Sequence, residues 1–345
     1  MSSTVTGAAT DGSARPHRLL AALQRLFVRL GVLPFMLVAA IAVFAATSEQ
    51  FLTVQNLTNL LRQSVYLILV SLGQMLVLVT GGFDLSVGTA VAITSVVSAL
   101  TMSGVLQAFP DLAWLAIVAG CGAGMLAGLA LGLVNGAGVA FLGVSPFIMT
   151  LGVQSIGFGL ALYLTGGVPV SGLPPAFSDL FGFGTWLGMP LPVLVTAVIA
   201  LLLSLLMGRT VTGSYLLAVG GNPKAAALSG VNNRRVLLTA YLLCALLASV
   251  SGLLLTARVE TGEANLGGTI ALESIAACVI AGVSLRGGMG RVDSVILGAI
   301  FIGLVQNGMN LTSVGSYLQM VVLGGLLIVA VVADQVRHRL LVPGP

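Results

Sequence analysis

Long apolar stretches run the length of the chain, separated by short polar breaks rich in Gly and Pro. They predict helical spans at Gly31–Thr47, Gln63–Thr80, Val87–Gln107, Leu112–Leu133, Phe147–Leu164, Leu191–Met207, Val236–Leu255, Ile270–Leu285, Val292–Asn310 and Tyr317–Ala333. The runs are continuous and close to the length that crosses a bilayer, about 17–25 residues. They lack the apolar-polar alternation of a barrel strand. Ser48–Arg62 is more polar and is expected half-buried at the outer surface, or as a partial helix. The expectation is an all-α polytopic membrane protein of about ten transmembrane helices. Its transmembrane domain covers residues 31–335, after a basic segment at 1–30 and before a short tail at 336–345.

Composition supports this pattern. Apolar types make up 57% of 345 residues and charged types 7%, against about a quarter charged in a soluble domain. Mean hydropathy is +1.11. The 45 glycines suit helices that approach closely in lipid. The Pro-Gly breaks suggest kinked or interrupted spans packed against protein. Charge gives the orientation. With ten crossings, Arg15, Arg18, Arg25, Arg29, Arg209, Lys224, Arg234, Arg235, Arg286, Arg291, Arg337 and Arg339 fall on one side, and only Arg62 and Arg258 on the other. Cytoplasmic loops carry such an excess of Lys and Arg, so both termini are expected in the cytoplasm. The cations form no stripe, and the formal charge of +4 does not point to nucleic acid. Cys121, Cys244 and Cys278 sit inside apolar runs as small hydrophobes. His17 and His338 lie in the tails, so the body offers no histidine for a metal site or a triad.

Polar residues inside spans face the bundle interior or a cavity. Candidates for lining a translocation pathway are Gln74, Asp84, Asn135, Phe147, Gln154, Glu273, Asn307 and Asn310. Two readings stay open for several of them. Asp84, in GGFDLSVG, is either an Asx-type cap on the helix that follows or a gate. Glu273 either caps the span it opens or touches solute. Asn307 and Asn310 either bond between helices or line the pathway. Phe147, Phe158 and Tyr163 either line a pore or face lipid and core. A lumen of amides, hydroxyls and Gly backbone suits an uncharged polyol. It does not suit a phosphate, which calls for Arg or Lys.

Between Leu191–Met207 and Val236–Leu255 lies RTVTGSYLLAVGGNPKAAALSGVNNRR, residues 209–235, the one internal stretch that looks built to meet something in water. Asn222 is placed to cap a short helix, with Pro223 at its first position. Lys224, Ala225, Ala226 and Leu228 follow, and Gly230 closes it. So short a helix is marginal alone, and its small apolar residues call for a docking surface. No G-x-x-x-x-G-K-[ST] motif is present, so any ATP hydrolysis belongs to another chain.

The segments FLTVQNLTNLLRQ (Phe51–Gln63), GGFDLSVG (Gly81–Gly88), GVSPFIMTLG (Gly143–Gly152), AVGGNPKAAALSGVN (Ala218–Asn232), GGMGRVDSVILGA (Gly287–Ala299) and NGMNLTSVGSYLQM (Asn307–Met320) occur in this order. In them the chain resembles the inner-membrane permeases of ribose-type ABC sugar importers. The resemblance implies a permease dimer in a bacterial inner membrane, with no cofactor of its own. It implies a cytoplasmic ATPase that uses ATP-Mg and a periplasmic or lipid-anchored sugar-binding protein. It also implies that Gly221, Asn222, Pro223, Lys224, Ala225, Ala226, Leu228 and Gly230 form a coupling helix against that ATPase. Members often carry an acid where this chain has Lys224. The implied function is import of a monosaccharide delivered by the binding protein. Rival readings are another neutral solute (a nucleoside, a polyol or a furanosyl signal), an ion-coupled secondary transporter with its own coupling-ion site, and a receptor or structural membrane protein.

Overall fold

The computed structural model describes residues 33–341, and they are helical almost throughout. The basic N-terminal segment, Gly31, Val32 and residues 342–345 lie outside the described residues. In chain order the helices are α1 (Leu33–Thr47), α2 (Val54–Leu78), α3 (Val87–Ala108), α4 (Ala113–Ala140), α5 (Pro146–Thr165), α6 (Leu191–Arg209), α7 (Val211–Gly221), α8 (Pro223–Leu228), α9 (Asn233–Val259), α10 (Ile270–Ile280), α11 (Val292–Leu311) and α12 (Ser316–Leu341). Among them α2, α3, α4, α5, α6, α9 and α11 are long and apolar enough to cross a membrane.

The core is built on α2 and α9. Of α2, the stretch from Ser64 to Leu78 is wholly buried. It runs antiparallel to α9, with Gly73 against the Cys244 backbone and Ser251 Oγ donating to the Tyr66 carbonyl at 3.0 Å. Helix α4 fits between α3 and α9 through one small-residue stripe. Gly120, Gly124 and Gly128 meet Ser98 and Thr94 of α3, while Gly128, Gly132 and Gly136 meet Ser249, Ala245 and Tyr241 of α9. Lipid offers no hydrophobic drive for helix association, so close backbone approach supplies the van der Waals contact instead.

Besides the lengthening of α4 to Ala140 and of α9 to Asn233–Val259, four differences from the sequence expectation stand out. Helix α2 begins at Val54, not Gln63, because Thr53 caps it by accepting from Asn56 N at 3.3 Å. The polar run 54–62 is therefore a continuous part of this helix. Residues 211–221, expected as loop, form α7. Helix α12 continues to Leu341, through the start of the expected tail. The fourth correction matters most. The span expected at Ile270–Leu285 is only α10, eleven residues long. At 1.5 Å per residue it reaches about 16 Å, near half of a hydrocarbon core roughly 30 Å thick. The chain leaves the helix through Gly282, whose φ of +84° favours glycine.

Two irregular segments enter the bundle from opposite ends. One, residues 79–86, follows α2 and turns back upward. Helix α3 therefore starts beside the middle of α9: Val91 packs on Gly252, and Thr256 Oγ1 donates to Ser95 Oγ at 2.7 Å. The other, residues 260–269, descends along α3. Gly262 pairs with Val170 and lies against Ala99, Glu263 N donates to Ser95 Oγ at 3.3 Å, and Gly267 reaches Gly88. The two meet at Gly88 and Gly267, where a Cβ on Gly88 would collide with the Gly267 carbonyl. Irregular backbone of this kind persists at membrane depth only where protein buries it or a cavity borders it.

Candidate translocation and coupling site

The short helix α8 forms where the sequence places it. Asn222 Oδ1 accepts from Ala225 N at 3.0 Å, and Pro223 opens the first turn. At the other end Gly230 takes φ +84°, with its N–H bonded to the Ala227 carbonyl and Val231 N bonded to Ala226. These two bonds are the Schellman pattern that glycine permits. Asn233 Nδ2 ties the helix back by donating to the Pro223 carbonyl at 2.8 Å. Gly221, Asn222, Pro223, Lys224, Ala225, Leu228 and Gly230 are exposed, and Leu228 is 91% exposed. Ala226 is not part of that face. It is 5% exposed and belongs to the chain's own core. A six-residue helix with a single inward residue must spend that residue on its own scaffold.

Besides the Ala226 and Asn233 contacts, this exposed helix is joined to the interior by close backbone approach. Three glycine-bearing segments converge: the end of α7 at Gly220, the loop after α2 at Val79–Gly81, and the turn at Gly287–Gly288. Gly288 N donates to the Val79 carbonyl at 2.9 Å. A Cβ on Gly220 would fall on the Val79 carbonyl, and one on Gly287 would sit 2.7 Å from Gly220 O and 2.9 Å from Gly81 N. The same turn ends in an exposed ion pair, Arg291 to Asp293 at 2.7 Å. Asp293 holds the Arg291 guanidinium above the ordinary arginine range by hydrogen bonding.

The 79–86 segment is fixed along its length. Tyr241 OH donates to the Phe83 carbonyl at 3.1 Å. Asp84 Oδ1 accepts from Ser86 N at 2.9 Å and from Ser86 Oγ at 2.7 Å, and Asn135 Nδ2 donates to Ser86 Oγ at 2.7 Å. Gln74 grips the Asp84 backbone. In the amide orientation that matches donors with acceptors, its nitrogen donates to Asp84 O at 3.0 Å and its oxygen accepts from Asp84 N at 3.3 Å. Gln74, Asp84 and Asn135 are thus buried, at 0%, 2% and 0% exposure. They hold a turn, and none of them is among the residues that line the cavity beside α5.

The other candidates also separate. Asn307 forms a reciprocal amide pair with Asn56 of α2, a bond between helices. Asn310 is exposed and accepts from Gln319 Nε2 at 2.8 Å. Glu273 accepts from Thr269 Oγ1 at 2.8 Å, a contact local to the start of α10. Phe147 and Tyr163 are 55% and 83% exposed on α5. Of the eight expected pathway residues, Gln154 alone lines the cavity described here.

That cavity, about 270 Å³, lies where the two irregular segments meet α5. Its walls are Leu85, Gly88, Thr89 and Ala92, then Gln154, Ser155 and Phe158, then residues 264–268 and Ala271. Thr89 Oγ1 donates to the Gln154 carbonyl at 3.2 Å and fixes α5 against the start of α3. Asn265 and Thr89 escaped the sequence reading. The stretch holding Asn265 carries Glu260 and Glu263 and reads as an ordinary outer loop. The pair of glycines after Asn265 was the available signal of close backbone approach.

Discontinuous helices beside a half-open cavity, with an exposed helix in contact with one irregular segment, fit a multi-pass membrane transport subunit. The chain belongs to the family described as branched-chain amino acid transport system / permease component, whose model matches residues 56–331. It is 36% identical over 305 residues to the ribose import permease protein RbsC of Escherichia coli (strain K12), covering 88% of this chain and 92% of that protein. It is 35% identical over 306 residues to the D-allose transport system permease protein AlsC of the same strain, covering 88% and 91%. It is 33% identical over 334 residues to the L-arabinose ABC transporter permease protein AraH of Azospirillum brasilense, covering 97% and 95%. No solved structure matches the chain.

Proposed function

We propose that this chain is the membrane permease of an ATP-driven monosaccharide importer in a bacterial inner membrane. One observation carries the reading: the chain aligns over nearly its whole length with permeases named for ribose, allose and arabinose import. The family description names amino acids, but the cavity favours a neutral solute. Its walls carry no Asp, Glu, Lys or Arg, and a zwitterion taken out of water needs partners for both of its charges.

A cytoplasmic ATPase grips the exposed face of α8, and a binding protein delivers sugar at the opposite side. Two permeases, identical or homologous, work together. Nucleotide-driven movement of α8 passes through Gly220 to Val79 and Gly81, then along residues 82–86 to the cavity wall at Leu85 and Gly88. The ATPase shifts the population between two facings of the pathway, and the permease makes or breaks no covalent bond. The rival ion-coupled reading needs a coupling-ion site. Such a transporter moves sugar on an ion gradient without ATP, so the energy source separates the two readings.

The test is reconstitution of the permease with its neighbouring ATPase and binding protein in liposomes. Labelled D-ribose, D-allose, D-galactose and L-arabinose are offered with ATP inside or with an imposed proton or sodium gradient. ATP-dependent, binding-protein-dependent uptake of at least one sugar is expected. Gradient-driven uptake without ATP, or uptake of leucine alone, overturns the proposal.

A further inference from the structure

The geometry points to the cavity between α5 and the meeting point of the two irregular segments as a transient holding site for one neutral monosaccharide. Gln154 and Asn265 are its hydroxyl-binding groups and Phe158 its apolar wall. The inference rests on the functional reading above and adds a located site to it.

Three observations support it. First, Gln154 and Asn265 present unspent amides. Neither side chain makes a hydrogen bond within the described residues, whereas Gln74, Asn56 and Asn307 are each engaged in the protein's own bonds. An amide offers two donors and two acceptor lone pairs, which suits vicinal hydroxyls that both give and take. Second, the cavity pairs those amides with an apolar surface. Phe158 is 40% exposed, and it lies four residues from Gln154, so the two share one face of α5. A sugar ring has a C–H face and a hydroxyl rim, and an aromatic wall beside convergent amides matches both. Third, size limits the occupant. The volume of about 270 Å³ falls just below the range of roughly 300–1,000 Å³ for sites that take drug-sized ligands. That volume accommodates a small solute, and the cavity is half-open, not closed around it.

The position suits a passing site. The wall at Leu85 and Gly88 belongs to the segment wired to α8, and the wall at 264–268 belongs to the segment entering from the opposite end. A shift of either one reshapes the cavity. A site of modest affinity built from movable walls allows both entry and release.

The experiment uses the reconstituted transporter and a Ser155→Cys variant in a Cys121→Ala background, since Cys244 and Cys278 are buried. Labelling by N-ethylmaleimide is timed with and without a millimolar sugar that the same liposomes take up. A control thiol is placed by Asp111→Cys, exposed in the turn before α4. The expected result is that the sugar slows labelling at position 155 at least threefold, leaves position 111 unchanged, and is not imitated by leucine. Gln154→Leu and Asn265→Leu should each lower uptake about tenfold or more and abolish the protection. An unchanged rate at position 155, with a sugar shown to be transported, overturns the site and leaves the permease reading standing. If none of the four sugars is transported, the functional reading fails first, and the assignment of this site to a monosaccharide falls with it.

Discussion

Asn56 of α2 and Asn307 of α11 lie 251 positions apart and face each other as a closed amide pair. Asn56 Nδ2 donates to Asn307 Oδ1 at 2.9 Å and Asn307 Nδ2 donates to Asn56 Oδ1 at 3.0 Å. Both are nearly buried, and Asn56 also donates to the Phe51 carbonyl at 2.8 Å. Replacing one partner leaves the other with unmet polar atoms, at a cost of about 1–3 kcal/mol. Asn56→Leu and Asn307→Leu should each lower the melting temperature of the detergent-solubilised protein. The double variant should lose less than the sum of the two, because neither amide is then left behind. Strict additivity in that cycle would show that the pair contributes no coupling.

Leu228 and Ala226 are two residues apart on α8 and face opposite ways. Leu228 is 91% exposed and Ala226 5% exposed. Leu228→Asp should abolish copurification of the ATPase while leaving the permease's own stability within about 0.5 kcal/mol of wild type, as surface changes usually do. Ala226→Asp should act on the permease itself, since it forces a charge into a packed site without a partner. Equal effects of the two on ATPase binding, with unchanged melting, would move the docking face to the other side of the helix.

What could be read from sequence depended on how local the cause was. Asn222, Pro223 and Gly230 declared α8 because caps and stops are set within a few residues. Asp84 declared its turn for the same reason, its partner Ser86 being two positions away. The continuous apolar runs gave the long helices. The same signal failed at Ile270–Leu285, because hydropathy reports surroundings and not conformation. The stretch after α10 is as apolar as a helix would be, yet it turns at Gly282. Asn56, Asn265 and Thr89 were missed because their places, in an amide pair or in the cavity wall, are set by segments brought together only by the fold. Gln154 was marked as a polar residue in a span, a correct alarm that could not name what it faces.

Gly220 tests the link from α8 to the interior. A Cβ there would fall on the Val79 carbonyl and come within 2.7 Å of Gly288 N. Neither atom is a flexible side-chain tip, so backbone must shift. Gly220→Ala should reduce coupled sugar uptake at least tenfold while the protein still inserts. Gly208→Ala, at the end of α6 with open surroundings, should transport normally. The measurement is ATP-driven uptake normalised to the amount of permease in the membrane. Normal uptake by Gly220→Ala would remove the Gly220–Val79 contact from the transmission route.

Asp84 can be asked directly whether its charge or its shape matters. Its Oδ1 accepts two bonds from Ser86, and Gln74 holds its backbone on both sides. Asparagine keeps an acceptor oxygen at the same place and equally favours turns. If Asp84 serves to fold residues 79–86, Asp84→Asn should insert, melt and transport within about twofold of wild type. Asp84→Ala should lose the turn, leave Ser86 without its partner and lower stability by about 1–3 kcal/mol. Gln74→Leu should mimic that loss, because it strips partners from the buried Asp84 N–H and carbonyl. A different pattern would carry a different meaning. If Asp84→Asn melts like wild type yet fails to transport, a carboxyl proton or charge at this position enters the transport cycle, and the capping role is insufficient. Parallel melting and uptake measurements on the three variants separate the two roles, since only a role in the cycle leaves the fold intact while stopping the sugar.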